Sequence, residues 1–79
     1  MITLLVHILN EDPIVGEVDE MPSSETGNLI LRNPRMRDGK PVSYIDREVT
    51  TVIWPMHRVN FIEVMPGEGE EEIISHVRE

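Results

Sequence analysis

At 79 residues the chain has room for one domain near the lower limit for independent folding, because chains this small bury only about 60% of their unfolded surface. It contains no cysteine, which excludes disulfides, thiolate metal sites and a cysteine nucleophile. The formal net charge of -8 repels polyphosphate, so unspecific nucleic-acid binding by a monomer is disfavoured.

The first half of the sequence predicts three strands separated by turn-forming residues. Ile2 to Leu9 is rich in leucine and β-branched residues, and it is followed by a cluster of turn formers. Ile14 to Met21 mixes apolar and acidic residues as a half-buried strand does, and Gly16 within it predicts a bend or bulge. A polar loop then leads into a short third strand, Asn28 to Arg32.

The second half predicts a long loop and two more strands. Asn33 to Ser43 is interpreted as the longest ordered loop, although Asp38-Gly39 also suits a small hairpin with Tyr44 to Glu48 as its return arm. Val49 to Trp54 and Arg58 to Val64 are predicted to pair with each other across a tight or 3₁₀ turn. The last strand carries apolar residues on both faces, with Val59 and Phe61 predicted to share one of them, so one face fills a core and the other needs a second partner.

The two ends of the chain bear on domain organisation and location. Residues 1–66 are predicted to form a small β-barrel domain, and residues 67–79 an acidic tail or a short helix with Ile73 and Val77 on one face. Either that segment or another subunit is expected to cover the outer apolar face. The apolar start lacks the basic region and cleavage site of a signal peptide, and no run reaches the length of a membrane span, so we expect a cytoplasmic protein.

The order of these segments favours a particular fold class. A mainly β, five-stranded and strongly bent antiparallel sheet closes most economically as a small SH3-like barrel. Leu9 to Val18 (LNEDPIVGEV), Asn28 to Leu31 and Thr51 to Val64 (TVIWPMHRVNFIEV) resemble, in that order, the first hairpin, the following strand and the closing strands of the Sm-like family. The resemblance covers residues 2–65. It implies an Sm-like barrel of the kind found in bacterial-type members of the family.

The chain departs from the pattern of the family's RNA-binding members. Those members place an Asp and an Asn close together after the second strand, whereas an inserted polar stretch separates Asp19 from Asn28 here. They also carry Arg-Gly before the last strand, where this chain has residues 55–58 (PMHR), and the family's N-terminal helix is missing. Fold likeness alone does not establish function.

No pattern of residues indicates catalysis or a cofactor. The serines lack a nucleophile-elbow pattern, and His7, His57 and His76 lack the spacing of metal ligands. The carboxylates Asp38, Asp46 and Glu48 show no calcium-loop spacing. We therefore predict no catalytic, metal or cofactor-binding residue and no small-molecule substrate, and we disfavour a small hydrolase or metal enzyme. Tyr44 and Trp54 are too few for a base-stacking platform, and Trp54 is predicted to lie in the core or an interface.

The basic stretch at residues 32–40 is the part of the sequence that suggests a binding site. Four of the seven basic residues fall within nine positions, and their side chains are suited to phosphates or to the carboxylates of an acidic partner. The alternative is that they pair with the chain's own surplus of acids. The residues predicted to bind a partner are Arg32, Asn33, Arg35, Arg37, Lys40 and Arg58.

The sequence thus predicts a non-enzymatic macromolecular interaction module. It is expected to bind a protein partner or itself, as a homo-oligomer assembled through barrel edges. The alternative function is RNA binding through residues 32–40, and no membrane partner is expected.

Overall fold

The computed structural model describes residues 1–66; residues 67–79, where the sequence predicts a tail or short helix, lie outside the described residues. The described chain forms five strands and one 3₁₀ turn: β1 (Ile2–Ile8), β2 (Ile14–Val18), β3 (Asn28–Arg35), β4 (Thr51–Pro55), the 3₁₀ turn Met56–Arg58, and β5 (Val59–Val64). They form one antiparallel sheet in the order β4-β3-β2-β1-β5, curled strongly into a half-barrel. The predicted fold class, a mainly β and strongly bent five-stranded antiparallel sheet, is confirmed.

The core lies on the concave face of this sheet. Alternate residues of β1 point inwards, and those of β2 and β3 meet them, as the two-residue period of a strand requires. Val42, from the loop between β3 and β4, adds a further buried side chain to the cluster. The buried residues of this core are Leu4, Val6, Ile8, Ile14, Val18, Leu29, Leu31 and Val42.

A bulge sits between β2 and β3. Val15 is in register with Arg35 and Glu17 with Arg32, so β3 advances three residues where β2 advances two. Asn33 has φ 53°, a left-handed conformation that asparagine tolerates better than most residues. The irregularity lies opposite Gly16, which confirms the bend or bulge predicted there.

Strand β3 is longer than predicted, because the bulge keeps Asn33 to Arg35 in the sheet and proline is tolerated at such a position. The loop therefore runs over residues 36–50. Asp38-Gly39 closes a tight turn in which the Gly39 N–H donates to the Met36 carbonyl over 2.9 Å and the Met36 N–H to the Lys40 carbonyl over 2.8 Å. Tyr44 to Glu48 forms turns and no strand, so its prediction as a return arm is wrong.

The predicted pairing of the fourth and fifth strands is also wrong. In the described chain β4 pairs with β3 and β5 pairs with β1, at opposite edges of the sheet. The 3₁₀ turn Met56–Arg58 carries the chain from one edge to the other, since the sheet curls enough to bring its edges near each other. The short connection between β4 and β5 is therefore possible because the sheet is curved, and the two strands do not form a hairpin.

Strand β5 carries a second register shift. His7 is in register with Phe61 and Ile8 with Val59, so Asn60 is the extra residue. As a result Val59 and Ile62 both pack against the core, whereas Phe61 is 51% exposed. The predicted facing, with Val59 and Phe61 on one side, is corrected by this bulge.

Membrane insertion through a helix has no support in residues 1–66, where no helix has the length and apolarity needed to span a bilayer.

Candidate functional site

The basic residues of β3 pair with acids that lie in β2 or directly after it. Arg35 forms a forked pair with Glu17, with Nη1 to Oε1 at 3.0 Å and Nη2 to Oε2 at 2.8 Å, and Nη1 also donates to the Asn33 carbonyl. The hydrogen bond from Arg35 lowers the pKa of Glu17 against the opposing effect of burial, and the same bond raises the pKa of Arg35. The Glu17 side chain is only 16% exposed, so this pair is structural.

Arg32 is held in a similar way. Its Nη2 donates to Asp19 Oδ2 over 2.8 Å. Its Nε is buried and finds no hydrogen-bond acceptor in residues 1–66. The guanidinium is therefore fixed against β2 and only partly available to a ligand.

The other four predicted partner-binding residues are spread over β3, the long loop and the 3₁₀ turn. Lys40 and Asp38 stand 4.0 Å apart at the exposed tip of the long loop. Arg37 is exposed beside them, and Asn33 uses its N–H to bond the Thr50 carbonyl over 2.7 Å. Arg58 lies in the 3₁₀ turn, where its carbonyl accepts the Leu9 N–H over 3.1 Å.

These six residues therefore form no single basic patch. Three of the cations face acids of the same chain, as the alternative interpretation of the sequence predicted. Among the residues that the structure describes, Arg37, Arg47 and Arg58 are the arginines whose side chains form no hydrogen bond or ion pair with another side chain.

The outer strands present a different kind of surface. Within residues 1–66, β4 and β5 each have one edge that pairs with no other strand. Both carry exposed apolar side chains: Ile53 of β4 is 66% exposed, and Phe61 and Val64 of β5 are 51% and 43% exposed. Unpaired backbone groups beside exposed apolar side chains are a template for strand addition.

The side chains on the outer face of β5 are held in place. The Phe61 ring stacks on His7 with ring centroids 4.0 Å apart and planes 14° apart. His7 Nε2 in turn lies 2.7 Å from Glu63 Oε1. Phe61 is therefore fixed on the surface instead of turning inwards.

A groove lies beside the free edge of β4, and we call it the aromatic groove. It measures about 370 Å³ and is lined by Ile8, Glu11, Tyr44, Trp54, Pro55 and Arg58, with the side chains of β4 between them. The Tyr44 and Trp54 rings meet edge to face at 6.2 Å and 64°. No sequence pattern indicated this groove, because Trp54 was predicted to lie in the core or an interface and local sequence does not specify the path of the loop that carries Tyr44.

A second pocket of about 350 Å³ lies where β2 leads into β3. Asp19, Asn28 and Arg32 all line it, although an inserted loop separates the first two in sequence. The Met56 N–H, at the start of the 3₁₀ turn, bonds the Gly27 carbonyl over 3.1 Å and joins the two loops. No group of three metal-ligating side chains occurs in the described part of the chain.

Comparison with known proteins adds no assignment: no family model, no curated protein and no solved structure matches the chain. The resemblance to the Sm-like family stays a prediction from the sequence.

Proposed function

We propose that this chain is a non-enzymatic macromolecular interaction module that self-associates through the free edges of β4 and β5. The observation that carries the proposal is the pair of unpaired outer strands, each with large exposed apolar side chains. A cytoplasmic location and an Sm-like ancestry belong to the same proposal.

Head-to-tail pairing is the arrangement that these edges favour. The free edges lie at the two ends of one curled sheet, so β5 of one copy can extend the sheet of the next copy at β4. Such a contact is heterologous, and it closes into a ring when the rotation between copies divides the circle. It also covers Ile53 and Phe61, the most exposed large apolar residues of the two strands.

RNA binding through residues 32–40 is the weaker proposal. Arg32 and Arg35 are bonded to Asp19 and Glu17, which leaves fewer free cations for phosphate than the sequence implied. A repeated ring would still place Arg37 many times on one surface. That function requires binding that falls steeply with salt and weakens in Arg37→Gln, whereas a mainly apolar protein contact does neither.

The test is the molar mass in solution, measured by light scattering over a range of protein concentrations. We expect a stable mass several times the chain's 9.1 kDa. Ile53→Lys and Phe61→Lys each place a charge on one edge strand, and each should reduce the mass, because charges on edge strands oppose pairing. A mixture of the two variants should form a heterodimer and nothing larger, because the intact β5 edge of Ile53→Lys can pair only with the intact β4 edge of Phe61→Lys.

Ile30→Lys is the matched control. Ile30 is 53% exposed and is in register with Ile53, yet it lies on β3, which is paired on both sides. We expect its mass to equal that of the parent. A parent mass of 9.1 kDa at every concentration, or equal disruption by Ile30→Lys and Ile53→Lys, would overturn assembly through the edges.

A further inference from the structure

The aromatic groove has the composition of a site for a cation. Tyr44 and Trp54 present two rings at 64° to each other, which form a corner open to solvent: Tyr44 is 47% exposed and Trp54 is half-buried. The faces of aromatic rings attract cations, Trp and Tyr most strongly, and two rings in a corner can face the same cation.

Two acidic residues lie in and near the groove. Glu11 lines it directly. Burial, and after it the negative charges of Glu11 and Asp12, raise the pKa of the Tyr44 hydroxyl. Among the side chains of the described residues, neither acid forms an ion pair that would neutralise it.

We propose that the aromatic groove binds an arginine or lysine side chain of a partner protein's extended segment, held against the Tyr44 and Trp54 rings and beside the Glu11 carboxylate. Arg58 also lines the groove and repels a cation near it, so the bound side chain lies on the Glu11 side of Tyr44. The net charge of -8 draws a basic segment towards the chain.

This proposal rests on the proposed function and names one partner chemistry for the module. It shares strand β4 with the assembly contact, since Ile53 and Trp54 both line the groove, whereas Glu11 and Tyr44 lie in loops outside the strand edges. Cation binding is therefore measured both in the parent and in Phe61→Lys, which should block assembly at β5 and leave β4 unchanged. The two proposals can then fail separately, because the mass in solution reports the edges and cation binding in Phe61→Lys reports the groove.

The experiment follows the indole N–H signal of Trp54 in ¹H–¹⁵N NMR spectra of the full chain. Trp54 is the single tryptophan, so the signal needs no further assignment. The probe is a capped Gly-Ser peptide with one central arginine, and its partner probe carries citrulline, which is nearly the same shape but uncharged. We expect the arginine peptide to shift the signal saturably, with a dissociation constant in the millimolar range, and the citrulline peptide to bind at least about threefold more weakly.

Variants locate the binding. Glu11→Gln and Tyr44→Ala should each weaken the arginine peptide at least about threefold, whereas Arg58→Gln should leave binding equal or tighter. Glu25→Gln is the control for charge, because Glu25 is exposed in the β2–β3 loop outside the groove. Equal binding of the two peptides, equal effects of Glu11→Gln and Glu25→Gln, or weaker binding in Arg58→Gln would each overturn the proposal.

Discussion

Gly16 lies beneath Leu31 in the core, and replacing it with alanine tests the packing of the sheet directly. A Cβ built on Gly16 would lie 2.4 Å from Leu31 Cγ and 2.8 and 2.9 Å from the two Cδ atoms. Carbon atoms in van der Waals contact are about 3.5–4.0 Å apart, so Leu31 would have to move by roughly 1 Å. Leu31 is fully buried and its neighbours fill the core, so little room exists for that movement.

We expect Gly16→Ala to lower the free energy of unfolding by about 3 kcal/mol, at the upper end of the cost of overpacking, because the clash falls on Cγ near the backbone. A domain of this size is stable by only roughly 3–10 kcal/mol, so the loss is large. Urea denaturation followed by Trp54 fluorescence measures it, with all proteins in the same concentration of trimethylamine N-oxide to keep weak variants folded.

Leu31→Ala supplies the control that isolates the clash. It removes all three atoms that the new Cβ would meet, and by itself should cost about 2–5 kcal/mol through the cavity it leaves. In that background Gly16→Ala should cost about 0.5 kcal/mol or less, since its methyl group enters empty space. The reasoning is refuted if Gly16→Ala costs the same in both backgrounds.

Two further predictions concern β3 and its neighbour. Glu17→Gln should lower stability by about 1 kcal/mol at neutral pH, measured by urea titrations at several pH values. Because Arg35 lowers the pKa of Glu17 in the folded state, this difference should be fully present above the usual value of 4.5, decline below it, and be lost once the pH falls below the lowered pKa of the folded state. A difference that persists at low pH would contradict the role of the ion pair. Asn33 has a φ of 53°, a conformation that glycine adopts easily and a β-branched residue does not. Asn33→Gly should therefore change the free energy of unfolding by only a few tenths of a kcal/mol, whereas Asn33→Val should lower it by about 1–2 kcal/mol. Equal effects of the two substitutions would rule out backbone strain at this position.

The composition and order of the segments were enough to predict the class of fold. Runs of β-branched residues separated by turn formers located all five strands, because strand formation depends on local preference and on alternation of apolar residues. Gly16 predicted its irregularity for the same reason, since a glycine inside a strand leaves room for a side chain of another strand. These signals are short in range and can be read along the chain.

Which strands pair with each other depends on the curvature of the sheet, and no local sequence pattern specifies that curvature. Residues 55–58 look like a hairpin turn, yet they join opposite edges of the sheet because the sheet bends back on itself. The bulge at Asn60 likewise reversed the facing of Phe61. A shift of one residue in register moves a side chain to the other face, and sequence alone sets that register weakly.

The sequence by itself determined the β-rich fold class, the lack of cysteine chemistry and the concentration of basic residues at positions 32–40. Only the tertiary structure decided what that charge does, because the register of β2 and β3 places Glu17 and Asp19 beside Arg35 and Arg32. It also brought Tyr44 against Trp54, which are ten positions apart and belong to different elements. Ion pairs and grooves are made by separate segments that folding brings together, so they follow from the curled sheet and not from the order of residues.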